Sequence, residues 1–261
     1  MAENQELTMI DKGALASVPA YLAGMQGNTE GFEDVKPGDL VLARLAICQD
    51  LTPQHKKNKP NFIDGLEVGQ LFNTVSGDIY PEKVKFIPLL KSQSRIYFKD
   101  IKEGGGILCR SFNGINGGTI SPEGCDRCLN SQWSEDRSKP PKCNEFMNFP
   151  ILLLPHHEPM VLSFKSTALS AAQNWLTRMQ YKSQRFKLPM YVQVWELTTK
   201  LQTRGTNEFY GPILAPSKEN NGWAEAQEAE YAARQYTFLK TRRVLVHDED
   251  TQEVETEAAP F

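Results

Sequence analysis

Four of the chain's five cysteines fall in one stretch, as Cys109, Cys125, Cys128 and Cys143, in the pattern C-x15-C-x2-C-x14-C. A C-x2-C pair delivers two thiolates from one tight turn, here Cys125-Asp126-Arg127-Cys128 behind Pro122 and Gly124, and two outlying cysteines complete a tetrahedral set. An all-sulfur, closed shell suits zinc. Three other chemistries use the same residues. A redox C-x2-C sits at a helix start in a βαβ setting, whereas the run from Gly117 to Gly124 reads as a loop. Paired disulfides need an oxidising compartment. Catalytic zinc needs an open coordination position, which four thiolates do not leave. Structural Zn²⁺ on the four cysteines is the expectation, with residues 109–143 an insert that organises the fold and no catalytic residue assigned. His156 and His157, between Pro155 and Pro159, are expected to be exposed rather than further ligands.

The elements that must hold this insert come next. Alternation predicts a strand over Leu40–Ile47, a hairpin turn at Ser76-Gly77-Asp78, and a long extended segment from Lys83 to Lys99 kinked near Pro88. Strict alternation there puts Lys83, Lys85, Lys91, Gln93, Arg95, Tyr97 and Lys99 on one side and Val84, Phe86, Leu90, Ile96 and Phe98 on the other. Between Lys83 and Arg110 there are seven bases and two acids, and a bland solvated face mixes signs more evenly. Further strands are expected at Ile107–Phe112, Glu145–Leu154, Met160–Phe164, Met190–Thr198 and Glu208–Leu214. In the Met190–Thr198 strand, Tyr191, Gln193 and Trp195 share a face. A helix over Thr167–Lys182 carries Leu169, Ala172, Leu176 and Met179 at helical spacing. Ser166 is its expected cap, and Lys165, Arg178 and Lys182 charge it without one acid. A second helix runs roughly from Lys218 to Leu239. Trp133, in a polar context, either packs over the knuckle or stands exposed.

Composition sets the bounds. The chain has 261 residues, 40% hydrophobic, enough for a real core. Its longest apolar run, Phe149–Pro155, is too short to span a bilayer, and Met1–Glu6 lacks the features of a signal peptide. A soluble protein of the cytoplasm is the expectation. Six of the 32 acids fall within residues 247–261 beside no Lys or Arg, leaving 26 acids against all 29 bases upstream. A mildly basic body with an acidic tail points to a polyanion-binding surface. The expected organisation is a flexible arm over residues 1–35 with an apolar island at Leu15–Leu22, a domain over 36–246, and a disordered acidic tail over 247–261. The fold class is β-rich α+β, an OB-fold-like small β-barrel with an inserted four-cysteine zinc knuckle and flanking helices. No G-x4-G-K-[ST] loop is present, which argues against ATP-driven function.

The run Asp248-Glu249-Asp250-Thr-Gln-Glu-Val-Glu-Thr-Glu-Ala-Ala-Pro260-Phe261 resembles the tail of single-stranded DNA-binding proteins of bacteria and their phages, although Ala258-Ala259 stand where acids precede the tip. The knuckle interrupting an OB-like chain is similar to phage replication proteins of the helix-destabilising type. The resemblance implies sequence-independent binding of single-stranded DNA during phage replication, recombination and repair, with no enzymatic activity, in the cytoplasm of a bacterial host. Lys83, Lys85, Lys91, Arg95, Lys99, Arg110 and Lys165 would neutralise phosphates, and Tyr97, Tyr191 and Trp195 would stack on bases. Asp248, Glu249, Asp250, Pro260 and Phe261 would recruit replication or recombination proteins, and the acids would cover the cationic groove when DNA is absent. A homo-oligomer stays open. A recombination annealing protein or an RNA-binding module would use the same surface. A nuclease would need clustered carboxylates or an open zinc.

Overall fold

A computed structural model describes residues 43–242 apart from 101, 103 and 119. The expected N-terminal arm and acidic tail lie outside the described residues. Among the described residues nine strands and two helices follow in chain order: β1 Leu45–Ile47, β2 Leu71–Asn73, β3 Val84–Pro88, β4 Ser92–Phe98, β5 Ile107–Ser111, β6 Cys143–Leu154, β7 Glu158–Lys165, α1 Leu169–Phe186, β8 Trp195–Arg204, β9 Asn207–Pro216 and α2 Ala226–Arg242. Strands β1 and β2 pair with each other. The other seven form one antiparallel sheet built around β6. On one edge of β6 lies β7. Along the other edge β4 and β3 lie end to end, with β5 beyond β4 and β8 then β9 beyond β3.

The β-rich α+β expectation holds, but the sheet is open and not a closed barrel: β5, β7 and β9 are left without a further strand of that sheet. An OB-like barrel needs such edges to pair with each other. Here the two faces of the sheet are covered by helices instead. Trp175 of α1 enters a cage of rings on one face, with centroids 5.5 Å from Phe86, 4.7 Å from Phe149, 6.0 Å from Phe164 and 6.0 Å from Trp195. On the other face α2 brings Ala232, Tyr231 and Leu239 against Ile87, Leu89, Leu152 and Val194. No helix among the described residues is long and apolar enough to cross a membrane.

The kink in the 83–99 segment has a consequence that alternation alone misses. Pro88 pairs with Ile151 and Ser92 with Asn148, so four steps along β3–β4 match three along β6. One extra residue in the Leu89–Lys91 link reverses which residues face which side. In β3, Val84 and Phe86 face the α1 core. In β4 the residues on that same side are Gln93, Arg95 and Tyr97, opposite Met147, Glu145 and Cys143. The single cationic face is therefore split: Lys83 and Lys85 lie on the α2 side, and Arg95 and Tyr97 on the α1 side.

Smaller differences have local causes. The turn at Ser76–Asp78 returns only to a single bridge between Phe72 and Ile79, because β3 is taken up by β6 and β8. Residues Met190–Val192 form a 3-10 turn rather than a strand start. Val194 there donates its N–H to the Gly222 carbonyl, so ladder pairing waits until Trp195. Ser166 does not cap α1: it starts a 3-10 turn at φ 49, and no side chain caps the helix.

Candidate metal centre and cationic surfaces

The register of β5, β4 and β6 sets Cys109, Tyr97 and Cys143 in one row across three strands. Paired residues of a ladder share a face, so both outlying cysteines lie on the same side, with Tyr97 between them. The insert folds back over that side. Asn113 Oδ1 accepts from the N–H groups of Ile115 (2.9 Å) and Asn116 (2.8 Å), an Asx turn that starts the return. Cys125 donates its N–H to the Ile115 carbonyl at 2.8 Å, and Cys128 closes the C-x2-C turn onto the Cys125 carbonyl at 3.4 Å. The Ser131 hydroxyl donates to the Cys128 carbonyl at 2.8 Å and shares the Cys125 carbonyl.

Glycines fix how tightly the insert packs. A Cβ on Gly117 would lie 1.4 Å from the Ser121 carbonyl oxygen, and one on Gly118 would lie 2.6 Å from the Arg110 carbonyl oxygen and 2.8 Å from Cys109 Sγ. The backbone thus runs directly against the thiol, an approach only glycine permits.

All four thiols line one cavity of about 20 Å³, together with Arg95 and Tyr97. That is room for a single water-sized atom. Burial pushes the Cys143 thiol up to about 11, against the lowering effect of Arg95, and the other three thiols raise it further. The sulfurs are therefore near enough to feel one another. None of the five cysteines is in a disulfide. Among the described residues, however, no three Cys, His, Asp or Glu side chains meet at metal-holding geometry. The donor set and the atom-sized gap fit a tetrahedral thiolate site in type; close ligation at about 2.3 Å needs the sulfurs drawn inward. Cys48 is elsewhere, buried in a third small core with Leu66 and Phe72. His156 is exposed, whereas His157 packs edge-on to Tyr231 at 5.2 Å instead of facing solvent freely.

The expected DNA-contacting residues do not gather on one surface. Lys83 pairs with Glu196 at 3.5 Å, Lys85 with Glu219, and Arg95 with Glu145 at 3.0 Å. Lys85 in turn holds the Glu219 carboxyl below its ordinary value. Lys91 is exposed and bonded to Gln93 at 3.0 Å; Lys99 is half-buried. Arg110 lies over the Phe112 ring at 5.5 Å, and Lys165 over Phe146 at 5.6 Å. Tyr97 lines the thiol cavity. Tyr191 packs on Tyr236 of α2, centroids 4.9 Å apart. Trp195 is only 2% exposed, locked between Trp175 and Arg178. Its faces are covered, so the expected ladder of stacking rings on Tyr191 and Trp195 is not available in this conformation. Trp133, by contrast, stands 58% exposed.

A cationic groove outside the expected binding strands lies along α1, lined by Thr177, Arg178, Tyr181, Lys182, Arg185 and Phe186. Lys182 Nζ donates to the carbonyls of Gly222 (2.8 Å) and Asn221 (3.1 Å) and sits 3.8 Å from the Trp223 ring centre. Burial here pushes Lys182 below its ordinary value. Arg178 donates to the Leu214 carbonyl at 3.1 Å. The signal is present in the chain: Arg178, Tyr181, Lys182 and Arg185 follow the i, i+3, i+4, i+7 rule for one helix face, and it is the ring among the charges, rather than the charges alone, that marks them.

The site and fold define a β-rich protein with a thiol-lined insert and helices on both sheet faces. The chain belongs to the Pam3 phage gp34-like protein family, matching it over residues 10–245, and so to a family of phage proteins. No curated protein and no solved structure matches it.

Proposed function

We propose that the protein binds single-stranded DNA without sequence preference during phage DNA replication, recombination and repair, and that Zn²⁺ on Cys109, Cys125, Cys128 and Cys143 clips the insert to the sheet. The observation that carries the reading is an exposed aromatic ring beside a cation, Phe112 at 40% exposure under Arg110 just after β5, with a second exposed ring at Trp133 in the insert. Unpaired bases stack on such rings at about 1 to 3 kcal/mol each, while Lys and Arg neutralise the phosphates. Lys91, Lys99 and Lys165 add charge around these strands. Bound by these four thiolates, Zn²⁺ would supply structure alone, over a turn that the glycines and Ser131 already shape. The acidic run 248–261 is the segment that recruits replication or recombination proteins and competes for the cationic surface.

Competition separates this from the neighbouring readings. Labelled oligo-dT bound to the zinc-loaded protein should be displaced by unlabelled single-stranded DNA well before duplex DNA or RNA. Equal displacement by RNA would favour an RNA-binding module, and preferential displacement by duplex would end the single-strand reading.

A further inference from the structure

We infer that the groove along α1 is itself a single-stranded DNA site, seating a base against Tyr181 and Phe186 and the adjoining phosphates on Arg178, Lys182 and Arg185. The inference rests on the single-strand reading above and moves the principal contact from the strands to the helix. Charge decides first. The strand cations Lys83, Lys85 and Arg95 are each held by a carboxylate, so their field is largely cancelled at short range. Helix α1 contains no acid from Leu169 to Phe186, and among the described residues none of its three groove cations has a carboxylate partner.

Ring exposure decides second. Tyr181 is 73% exposed and Phe186 50%. Large rings left in water side by side with cations that have no carboxylate partner form the kind of patch a binding face presents. Trp223 meets the Phe186 ring almost perpendicularly, centroids 5.3 Å apart, and the Arg185 guanidinium lies 5.4 Å from the centre of that ring, so the ring is fixed and one cation already stands beside it. The cations are likewise preset. Lys182 spends two of its three donors on the Gly222 and Asn221 carbonyls, and Arg178 one of its five on Leu214. Each keeps donors for a phosphate oxygen while losing little side-chain freedom on binding. The groove measures about 330 Å³, at the small end of ligand sites, which suits one nucleotide in a longer strand. Only an unpaired base presents a face to a ring, so duplex is disfavoured.

The test is anisotropy of labelled oligo-dT with the full chain and with Tyr181→Ala and Arg185→Ala, each at several salt concentrations. Tyr181 is exposed and stands outside the core clusters, so its loss should leave the melting temperature in place. Tyr181→Ala should weaken binding about tenfold or more. Arg185→Ala should lower the slope of log affinity against log salt by about 0.7, the share of one phosphate on a single strand. Wild-type affinity and slope in both variants would overturn the groove while leaving the protein a single-strand binder. Tighter binding in either variant would show that the groove holds the acidic tail rather than DNA, and would overturn it too. Failure of the full chain itself to bind oligo-dT would overturn both this site and the reading beneath it.

Discussion

At Gly118 a single methyl group decides whether the insert closes. A Cβ there would stand 2.8 Å from Cys109 Sγ and closer still to the Arg110 carbonyl oxygen; the carbonyl cannot yield without moving β5, and the sulfur only by turning out of the thiol cavity. Gly118→Ala should destabilise the protein by roughly 1 to 3 kcal/mol, as overpacking does elsewhere, read from urea unfolding, and should lower zinc content. Cys125→Ser should remove the metal and cost stability first, with DNA affinity falling as a consequence. Metal analysis together with the melting temperature checks it, since about 1 kcal/mol moves a domain of this size by some 2 to 4 °C. Asp136 offers a pH signature. Hydrogen bonds from Ser134 and Ser138 hold its carboxyl down to about 2. A carboxylate depressed by folding contributes above its unfolded value and loses that contribution as pH falls through the folded one. The Ser134–Lys139 turn should therefore lose that support progressively as pH falls from the ordinary carboxylate range to about 2, and Ser138→Ala should move the Asp136 NMR titration upward. At this scale the gathering of the four cysteines was legible, because C-x2-C puts two thiols in one turn and the two outliers fall on the strands flanking β4 in one sheet. The glycines that press against them were not, since nothing local says which backbone comes to lie beside Cys109.

Among the elements, α1 is the one on which both core and surface depend. Trp175→Ala would empty the centre of four aromatic contacts and should cost about 3 to 5 kcal/mol in equilibrium unfolding. The helix itself was readable from Ala172 and Met179 at helical spacing, and the β6–β7 hairpin from two apolar runs around Pro155–Pro159. The face of the 83–99 segment was not, because alternation assumes an unbroken register and the extra residue near Leu89 breaks it. Trp195 fails for a different reason. Alternation says which residues share a face, and only the long-range packing of α1 says which face is covered. The closed barrel fails likewise: strand count is local information, whereas closure depends on whether distant edges meet.

At the scale of the whole molecule, a mildly basic stretch over residues 1–246 is followed by an acidic run over 247–261. Deleting residues 247–261 should raise affinity for single-stranded DNA at low salt, with the difference shrinking as salt screens the competition, and should abolish capture of replication or recombination proteins. The most direct test of the central claim is a titration of labelled oligo-dT and of a duplex of equal length, at low salt and at about fourfold higher salt, repeated after zinc is stripped. The expected result is strong binding to the single strand that weakens steeply with salt, weak binding to duplex, and loss of affinity as the metal-free insert loosens. A preference for duplex, or no binding to oligo-dT at low salt, would contradict it.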